Sequence, residues 1–303
     1  MWIDETYLTV KVKKLKMKAI QLTVPNHLEM VESVWRVDLD LRKAKLGYYR
    51  LPDNYSEIII VLKGEIQRSV IGTRQSALLG ERQAYLAPVR SKGTVLRANE
   101  DVTFILVKIA PQYQHVLLGR RQFETRNGLL QLETGEWSKN LLEGSIPNTK
   151  QVIQDLECFV QKKMDQYVKI DPVVEASIAL IRHVRGDIRV KELNEELGVC
   201  KSTLEEKFNR NLGLSPKEFC KIEKINQFLD NYQLHKDEMT LTQLTFKSGY
   251  YDQSHLIKEF RYFVDVSPRK YLKEVNKLQL EATPPTARIL EGLRPAGFVA
   301  QTA

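Results

Sequence analysis

The chain has 303 residues, of which 43% are hydrophobic and 28% are charged. This length and balance fit two globular domains and exclude a fibre or a wholly disordered protein. The net charge of +8 hints at a polyanionic partner, while the three cysteines form no CxxC pair, which argues against a disulfide framework or a zinc knuckle. No apolar run reaches the roughly 18 residues of a membrane span, so we expect a cytoplasmic protein without membrane segments.

The excess of positive charge lies in the first half of the chain. Residues 1–170 hold 26 of the 46 Lys and Arg but only 19 of the 38 Asp and Glu, so the second half is nearly neutral. Five of these lysines fall between Lys11 and Lys18. We predict that residues 1–20 form a basic arm, either a solvated edge strand or a segment that seeks phosphates.

From about Val34 to Ile109 the sequence predicts an antiparallel β-sandwich or barrel. Short β-branched runs such as EIIIVLKG and VTFILVKI alternate with glycines, prolines and an Asn-Glu-Asp break. Runs of this length with such breaks are typical of compact all-β domains. We place the β domain at residues 21–145.

Beyond Pro147 the apolar residues recur at helical spacing, which predicts a connecting helix within residues 146–170. Its apolar stripe either packs on its own domain or forms a dimer contact. The stripe consists of Val152, Leu156, Phe159, Val160 and Met164.

The second half of the chain contains one unit twice. The first copy begins at Leu193 with LNEELGVCKSTLEEKFNRNLGLSPKEF, and the second begins at Leu244 with LTFKSGYYDQSHLIKEFRYFVDVSPRKY. Both share a Leu, a Gly five residues later, a Leu and Phe four apart, and a Ser-Pro seven residues beyond the Phe. Equivalent residues of the two copies are 51 positions apart at the first Leu and at the Gly, and 52 positions apart from the following Leu onward. The second copy therefore has one additional residue between its Gly and that Leu. This self-similarity indicates a tandem duplication of one structural unit.

Each copy is predicted to fold as a helix-turn-helix. In the first copy, Leu193 and Leu197 share one face of a short helix, and Gly198 supplies the left-handed residue that ends it. Leu204 and Phe208 then return a second helix to the first. The second copy follows the same plan, with an aspartate as the expected N-cap of its second helix.

A serine N-cap followed by proline starts a further helix after each copy. The first of these helices is predicted to bridge the copies as a stiff linker. We therefore expect an all-helical domain at 171–280, with helix-turn-helices at about 190–211 and 240–263 and the linker helix at about 216–232. Residues 281–303, which contain Pro-Pro and Arg-Pro, are predicted to be a poorly ordered tail.

The outward side chains of the second helix in each copy are predicted to read bases. A recognition helix places its N-terminal half in the major groove, where Gln suits adenine and Lys suits guanine or a phosphate. In the second copy these side chains are Gln253, Ser254, His255 and Lys258. In the first copy they are Ser202, Glu205 and Glu206. Glutamate can accept from cytosine, but two together repel phosphates. A solvated helix face is the alternative for one such helix alone, whereas two helices at a fixed offset favour DNA binding.

Basic residues in and beside these helices are predicted to contact the DNA backbone. They are Lys201, Arg210, Lys217, Arg261, Arg269 and Lys270.

Residues 171–280 resemble the DNA-binding domain of the AraC/XylS family of bacterial transcription regulators. The motif that carries the resemblance is Gly-x5-Leu-x3-Phe followed by Ser-Pro-x-x-aromatic, found twice with one more residue in the second copy. The resemblance implies that two recognition helices enter successive major grooves about 34 Å apart. The chain departs from the family at Asn194 and Thr245, where alanine is usual. It also departs at Cys200, where a serine cap is common, and at Asp265, where glycine is expected and the change should strain a turn.

The β domain resembles, more loosely, the cupin-like sensor domains that precede this module in many family members. The residues that carry this resemblance are ESVWRV and RLPDNYSEIIIVLKG. The resemblance also places the family start near MKAIQL, so either Met1 or Met17 could be the true initiator. The predicted fold class is α+β, with a cupin-like antiparallel β domain followed by an all-α domain of two helix-turn-helix subdomains joined by a linker helix.

The β domain lacks the pattern of a metal enzyme. A cupin metal site needs two or three histidines plus a carboxylate, and this region offers only His27 and His115 outside the predicted strands. We therefore predict no catalytic residue, no metal and no cofactor. The domain could instead bind a small anionic molecule, since arginine pairs with anions. The ligand candidates, which could equally be core and rim residues, are Trp35, Tyr49, Arg50, Tyr85 and Arg90.

Together these features predict a sequence-specific transcription regulator rather than an enzyme. Its expected partners are double-stranded DNA, a small-molecule effector, RNA polymerase and a second copy of the chain. One alternative is a cupin isomerase or dioxygenase fused to a DNA-binding module. Another is a thiol-based sensor, which would need a depressed pKa at Cys158 or Cys200, and we expect no sequence neighbour to lower either pKa.

Overall fold

The structure is a computed structural model that describes residues 6–11, 16–40, 48–118, 128–132, 149–166 and 170–272. Its N-terminal part consists of antiparallel strands and its C-terminal part of helices, which confirms the predicted fold class. The strands are β1 (Thr6–Lys11), β2 (Lys16–Leu22), β3 (Val31–Asp40), β4 (Tyr48–Arg50), β5 (Ser56–Lys63), β6 (Ile66–Val70), β7 (Ser76–Leu79), β8 (Gln83–Ala87), β9 (Thr94–Arg97), β10 (Asp101–Ile109) and β11 (Leu130–Leu132).

The described strands form two sheets. One has the order β1-β2-β3-β10-β5-β8-β11 and the other the order β4-β9-β6-β7. Residues alternate between the two faces of a strand, so β10 directs Phe104 and Leu106 into a core between the sheets. The same strand directs Ile105 and Val107 into a second core on the outer face of the larger sheet.

The basic segment at the N-terminus is part of the larger sheet. Strand β2 pairs with β3, so that Met17 lies opposite Leu39, and β1 pairs with β2 at the end of the sheet order. Of the two interpretations of this basic segment, the structure has the edge strand at residues 6–11, whereas residues 16–20 belong to a strand that is paired on both sides. Lysines that alternate with apolar residues suit an edge strand with one solvated face.

The helices that follow are α1 (Gln114–Leu118), α2 (Thr149–Gln166), α3 (Pro172–His183), α4 (Val190–Leu197), α5 (Lys201–Leu212), α6 (Pro216–His235), α7 (Leu241–Lys247) and α8 (Gln253–Val264). Helix α2 is the predicted connecting helix. Its Val152, Leu156, Phe159 and Val160 are buried in the second core of the β domain, whereas Met164 is exposed. The first four therefore pack on their own domain, as the first of the two interpretations has it.

Helices α4 and α5 form one helix-turn-helix, and α7 and α8 form the other. Gly198 ends α4 with a left-handed φ of 62°. Ser215 caps α6 by accepting from the backbone N–H of Glu218, with Pro216 at the first helical position. Asp252 caps α8 by accepting from the N–H of His255 at 2.7 Å.

The ends of α5 and α8 differ in the way the sequence predicted. Gly213 follows α5 with φ 69°, and Asp265 follows α8 with φ 57°. A left-handed conformation favours glycine because a Cβ atom is crowded there. The second turn therefore carries the expected strain.

Each helix-turn-helix has its own core. Leu193, Leu204, Phe208 and Phe219 are buried together in the first. The second contains Leu244, Leu256, Phe260 and Phe228, and it also includes one residue of the β domain, Val89. Leu51 and Ile71 of the β domain pack against that second core as well.

Candidate nucleic-acid interface

The two predicted recognition helices, α5 and α8, begin at equivalent N-caps, Cys200 and Asp252. The additional residue of the second copy lies in the turn before the helix. One residue separates Gly198 from its N-cap, whereas Tyr250 and Tyr251 separate Gly249 from the other. Tyr250 is 2% exposed and Tyr251 is 85% exposed. The longer turn therefore places a solvent-exposed aromatic phenol directly beside the start of α8.

The predicted base readers of α8 are at its surface. Ser254, His255 and Lys258 are exposed, and Gln253 is half-buried. The Gln253 Nε2 donates to Thr242 Oγ1 of α7 at 2.6 Å. This bond ties α8 to α7, the first helix of its unit, and both side chains reach the surface.

His255 is held by its own domain more than its neighbours are. Its ring lies edge-on to the Tyr250 ring, with centroids 5.4 Å apart, and its Nε2 lies 3.2 Å from Glu259 Oε1. Glu259 is buried and pairs with Lys221 Nζ of α6 at 3.0 Å. Ser254 and Lys258, in contrast, extend from the exposed face of the helix.

The first recognition helix presents a more acidic surface. Ser202 and Glu206 are exposed, and the Glu205 side chain is 45% exposed with its Oε1 3.8 Å from Lys201 Nζ. That pair offsets part of the repulsion that Glu205 would exert on a phosphate. Because exposed pairs one helical turn apart are weak, Lys201 could still exchange this partner for DNA.

The six predicted backbone contacts are all exposed. The N-caps, aligned 52 residues apart, also pair the predicted base readers with positions that the sequence analysis did not name as base readers. Ile257 of α8 corresponds to Glu205 of α5, and Lys201 corresponds to Gln253. An apolar side chain at this position can contact a thymine methyl group. Tyr251 was missed as well, although alignment from the N-caps of the two copies would have separated it from the core tyrosine.

The ligand candidates of the β domain do not line an open pocket together. Trp35 and Tyr85 are buried in the core between the sheets. Arg50 and Arg90 both pair with Glu57, so the guanidinium groups that were candidates for an anionic ligand neutralise a carboxylate of the chain. The side chain of the fifth candidate, Tyr49, lies outside the described side chains.

Residues 193–274 match the family model described as a helix-turn-helix domain. They form an AraC-type helix-turn-helix domain. The AraC-type domain covers the two helix-turn-helices and the linker helix between them. This match supports DNA binding by the C-terminal part of the chain.

Solved structures resemble the chain only distantly. ToxT from Vibrio cholerae O395 is 12% identical over 86% of this chain and 98% of that chain, with a TM-score of 0.45. Unsaturated fatty acid-bound ToxT from Vibrio cholerae strain SCE256 is 13% identical over 87% and 96%, with a TM-score of 0.46. The FeII form of HppE is 14% identical over 35% and 56%, with a TM-score of 0.30. Likeness at these scores carries no information about the ligands or partners of this chain.

Curated proteins include no sequence that matches the chain. Among the described residues, no helix combines the length and apolar character needed to cross a membrane. In the same part of the chain, no group of three or more His, Cys, Asp or Glu side chains is placed to hold a metal ion.

Proposed function

We propose that the chain is a sequence-specific transcription regulator whose helices α5 and α8 read adjacent major grooves of one duplex. The observation that carries this proposal is the duplicated unit. Both copies begin their recognition helix at an equivalent N-cap, expose its first turns and bury the same Leu and Phe. Helix α6, 20 residues long, joins the copies as one rod of about 30 Å, a length comparable to one turn of DNA.

The side chains divide into two roles. Gln253, Ser254 and Lys258 of α8, and Ser202 with Glu205 and Glu206 of α5, would meet base edges, and His255 would contribute to the same surface. The exposed basic residues around them, together with the helix N-termini, would hold phosphates. Tyr251 would add a phosphate or sugar contact at the start of α8, because its hydroxyl can donate to a phosphate oxygen.

The β domain would control this binding through an effector or through pairing with a second copy, and RNA polymerase would be the further partner. Direct contact between the β domain and the DNA-binding helices supports a regulatory role. Asn54 Nδ2, in the turn before β5, donates to Phe219 O of α6 at 2.9 Å. A change in the β domain can therefore reach the linker helix through one turn.

Selection of bound sites from a random duplex library tests the proposal. We expect two sequence blocks whose centres lie about 10 base pairs apart, one turn of the double helix. A single block, or binding without sequence preference, would contradict the two-groove arrangement.

Substitution of Lys258 by alanine is expected to cost about 1–3 kcal/mol on the selected duplex and to relax specificity at one base pair. Gln253→Ala should behave in the same way at a neighbouring pair. The matched control is Lys191→Ala, which removes the same charge from an 85% exposed side chain on α4. Electrophoretic mobility shifts on selected and random duplexes measure both effects. An equal loss on random DNA would instead assign these side chains to the phosphate backbone.

A second candidate function is thiol-based control of the same DNA-binding unit. Cys200 is exposed at the start of α5, and the hydroxyls of Ser202 and Thr203 lie 3.1 and 2.9 Å from its Sγ. Their hydrogen bonds lower the pKa of the Cys200 thiol to about 7. The expectation that no sequence neighbour would lower this pKa was therefore wrong, because the first turn of the helix folds two nearby hydroxyls onto the sulfur.

Alkylation of Cys200 by iodoacetamide should have its midpoint near pH 7, because the thiolate is the nucleophile and the thiol pKa is about 7. An ordinary cysteine would give a midpoint at a pH of about 8.5. Peptide mass mapping separates Cys200 from Cys158, and Cys220, whose pKa burial raises to about 12, should stay unmodified. Ser202→Ala should move the midpoint upward. A wild-type midpoint of about 8.5 would remove the basis for a thiol sensor.

A further inference from the structure

The β domain donates a hydrogen bond to the same position of both recognition helices. Gln114 Nε2 donates to Asn211 O near the end of α5 at 3.2 Å. The backbone N–H of Gly93 donates to Phe263 O near the end of α8 at 2.9 Å. Asn211 and Phe263 are equivalent residues, since each lies 11 positions after its N-cap. Two unrelated parts of the β domain therefore bind corresponding carbonyls in the two copies.

These carbonyls are available because helix ends leave them without partners. The last four C=O groups of an α-helix have no donor within the helix. In each copy the residue after the helix satisfies one of them, with Gly213 N–H donating to Asn209 O and Asp265 N–H to Arg261 O. The carbonyl two residues further on is then bound by the β domain. Each recognition helix thus ends on a donor from the other domain.

The donor from Gln114 is fixed in direction. This residue is 2% exposed, and its Oε1 accepts from Ser56 Oγ at 2.8 Å and from the N–H of Val89 at 2.6 Å. Because these two donors require an oxygen on that side of the amide, the NH2 group must point towards Asn211. The side chain thereby links the start of β5, the segment after β8, and α5.

The donor from Gly93 sits at a tightly packed point between the two domains. A Cβ atom at this position would lie 3.2 Å from Val264 Cγ1 of α8 and 3.0 Å from Arg50 O. The neighbouring Lys92 reaches the same helix end, where its Nζ donates to Tyr262 O and lies 3.8 Å from the centroid of the Tyr262 ring. A cation beside the C-terminus of a helix is also favoured by the helix dipole.

The linker helix is attached to the β domain between these two points. Asn54 Nδ2 donates to Phe219 O at 2.9 Å and to Glu223 Oε1 at 3.0 Å, and Asn226 Nδ2 donates to Pro52 O at 3.0 Å. All three parts of the DNA-binding unit are thus bound to one body. The N-terminal turns of α5 and α8 carry exposed side chains.

We propose that the β domain is a clamp that sets the separation of the two recognition helices, with Gln114 and the Lys92–Gly93 segment as its positioning residues. This inference rests on the proposed function, since a separation matters only if both helices read one duplex. If the β domain acts as this clamp, the protein binds both sequence blocks together only when they lie at one fixed spacing. Weakening either end of the clamp lets that helix shift and makes other spacings acceptable.

The probe is the duplex selected by the wild-type full chain, with versions that carry one to four base pairs inserted between the blocks and a version that keeps a single block. Lys92→Met and Gly93→Ala weaken the α8 end, and Gln114→Met removes the donor to α5. Lys63→Met is the matched control, because it removes the same charge from an exposed lysine at the end of β5. Circular dichroism confirms that each variant is folded.

For the wild-type protein we expect an insertion of two base pairs to reduce affinity about 100-fold, because the second contact loses its effective concentration. In the clamp variants, affinity for the selected duplex should fall about 10-fold and the insertion should cost only about 10-fold more. Binding to the single block should stay within about twofold of wild type, since one helix needs no partner at a set distance.

Three results would overturn the clamp. The first is that the folded clamp variants keep the wild-type dependence of affinity on spacing. The second is that they lose as much affinity for the single-block duplex as for the selected duplex, and the third is that Lys63→Met changes binding as much as Lys92→Met does. If Gln114→Met does not fold, Lys92→Met and Gly93→Ala decide the question at the other end. A wild-type protein that selects only one block, or none, would instead refute the proposed function.

Discussion

Substitution of Glu57 by glutamine is expected to destabilise the β domain by about 3–5 kcal/mol, because it leaves buried charges without their partner. Glu57 is 1% exposed. Arg50 Nη1 and Arg90 Nη1 each donate to its Oε2 at 2.9 Å, and Arg50 Nη2 donates to its Oε1. Neutral glutamine would keep the volume but not the charge, so that two guanidinium groups would remain in a site from which water is largely excluded.

The same pair predicts how stability depends on pH. Burial alone would raise the pKa of Glu57, but Arg50 and Arg90 hold that pKa well below its ordinary value. A carboxylate whose pKa is depressed by folding stabilises the native state fully above its unfolded pKa of 4.5. This contribution is lost as the pH falls from there towards the folded pKa. The difference between wild type and Glu57→Gln should therefore be constant near neutrality and shrink in acid.

Urea unfolding of the full chain at several pH values, followed by the β-sheet signal, measures both effects. Glu65→Gln is the matched control, since it makes the same change at an exposed residue just after β5 and should cost less than about 0.5 kcal/mol. A similar loss for both variants would show that the buried charge cluster contributes little. A difference that grows in acid would contradict the sign derived for Glu57.

The other large effect is expected at Phe260, where substitution by alanine should cost about 3–5 kcal/mol. This ring is fully buried in the core of the second helix-turn-helix. Its centroid lies 6.4 Å from that of Phe228 and 5.3 Å from that of Tyr271, both edge-on. Because Phe260 holds α8 to the linker helix, its truncation should loosen α8 before α5. In a nuclease footprint, protection of the sequence block bound by α8 should therefore be lost at temperatures where the block bound by α5 is still protected.

Phe246→Ala provides the matched comparison. Phe246 lies on α7 of the same subdomain but is 57% exposed, so truncation there should change stability by about 0.5 kcal/mol or less. Thermal unfolding of both variants, with footprints on the selected duplex, gives the comparison. Equal effects at the two positions, or loss of both blocks together in Phe260→Ala, would show that the subdomains do not respond separately.

The duplicated helices could be predicted because their signals are local. Leu204 and Phe208 are one helical turn apart, Gly198 and Asp252 act within one turn of a helix end, and Ser-Pro needs only its own neighbours. Each structural consequence lies within a few residues of its cause. The linker helix ends at His235 rather than near 232, because no helix-ending residue stands at that point.

The contacts that join the domains could not be predicted in this way. Gln114 and Asn211 are 97 residues apart in sequence, and no periodicity marks either as a partner of the other. Arg50 and Arg90 were candidates for a ligand site because an arginine beside a strand gives no sign of which anion it will pair with. Only the folded sheet shows that Glu57 lies between them. Similarly, hydroxyls two and three residues from Cys200 become its neighbours only once the helix forms.

Val89 belongs by sequence to the β domain but is buried in the hydrophobic core of the second helix-turn-helix. The boundary drawn along the chain is therefore not a boundary in packing. A fragment cut before α3 would expose the apolar surface that Val89 and its neighbours cover, and such surfaces promote aggregation. Hybrids that join this helical half to a foreign sensor domain would likewise need, in that domain, an apolar residue that fills the space that Val89 occupies here. The two domains are separate segments of the sequence, but in the folded protein they share a hydrophobic core.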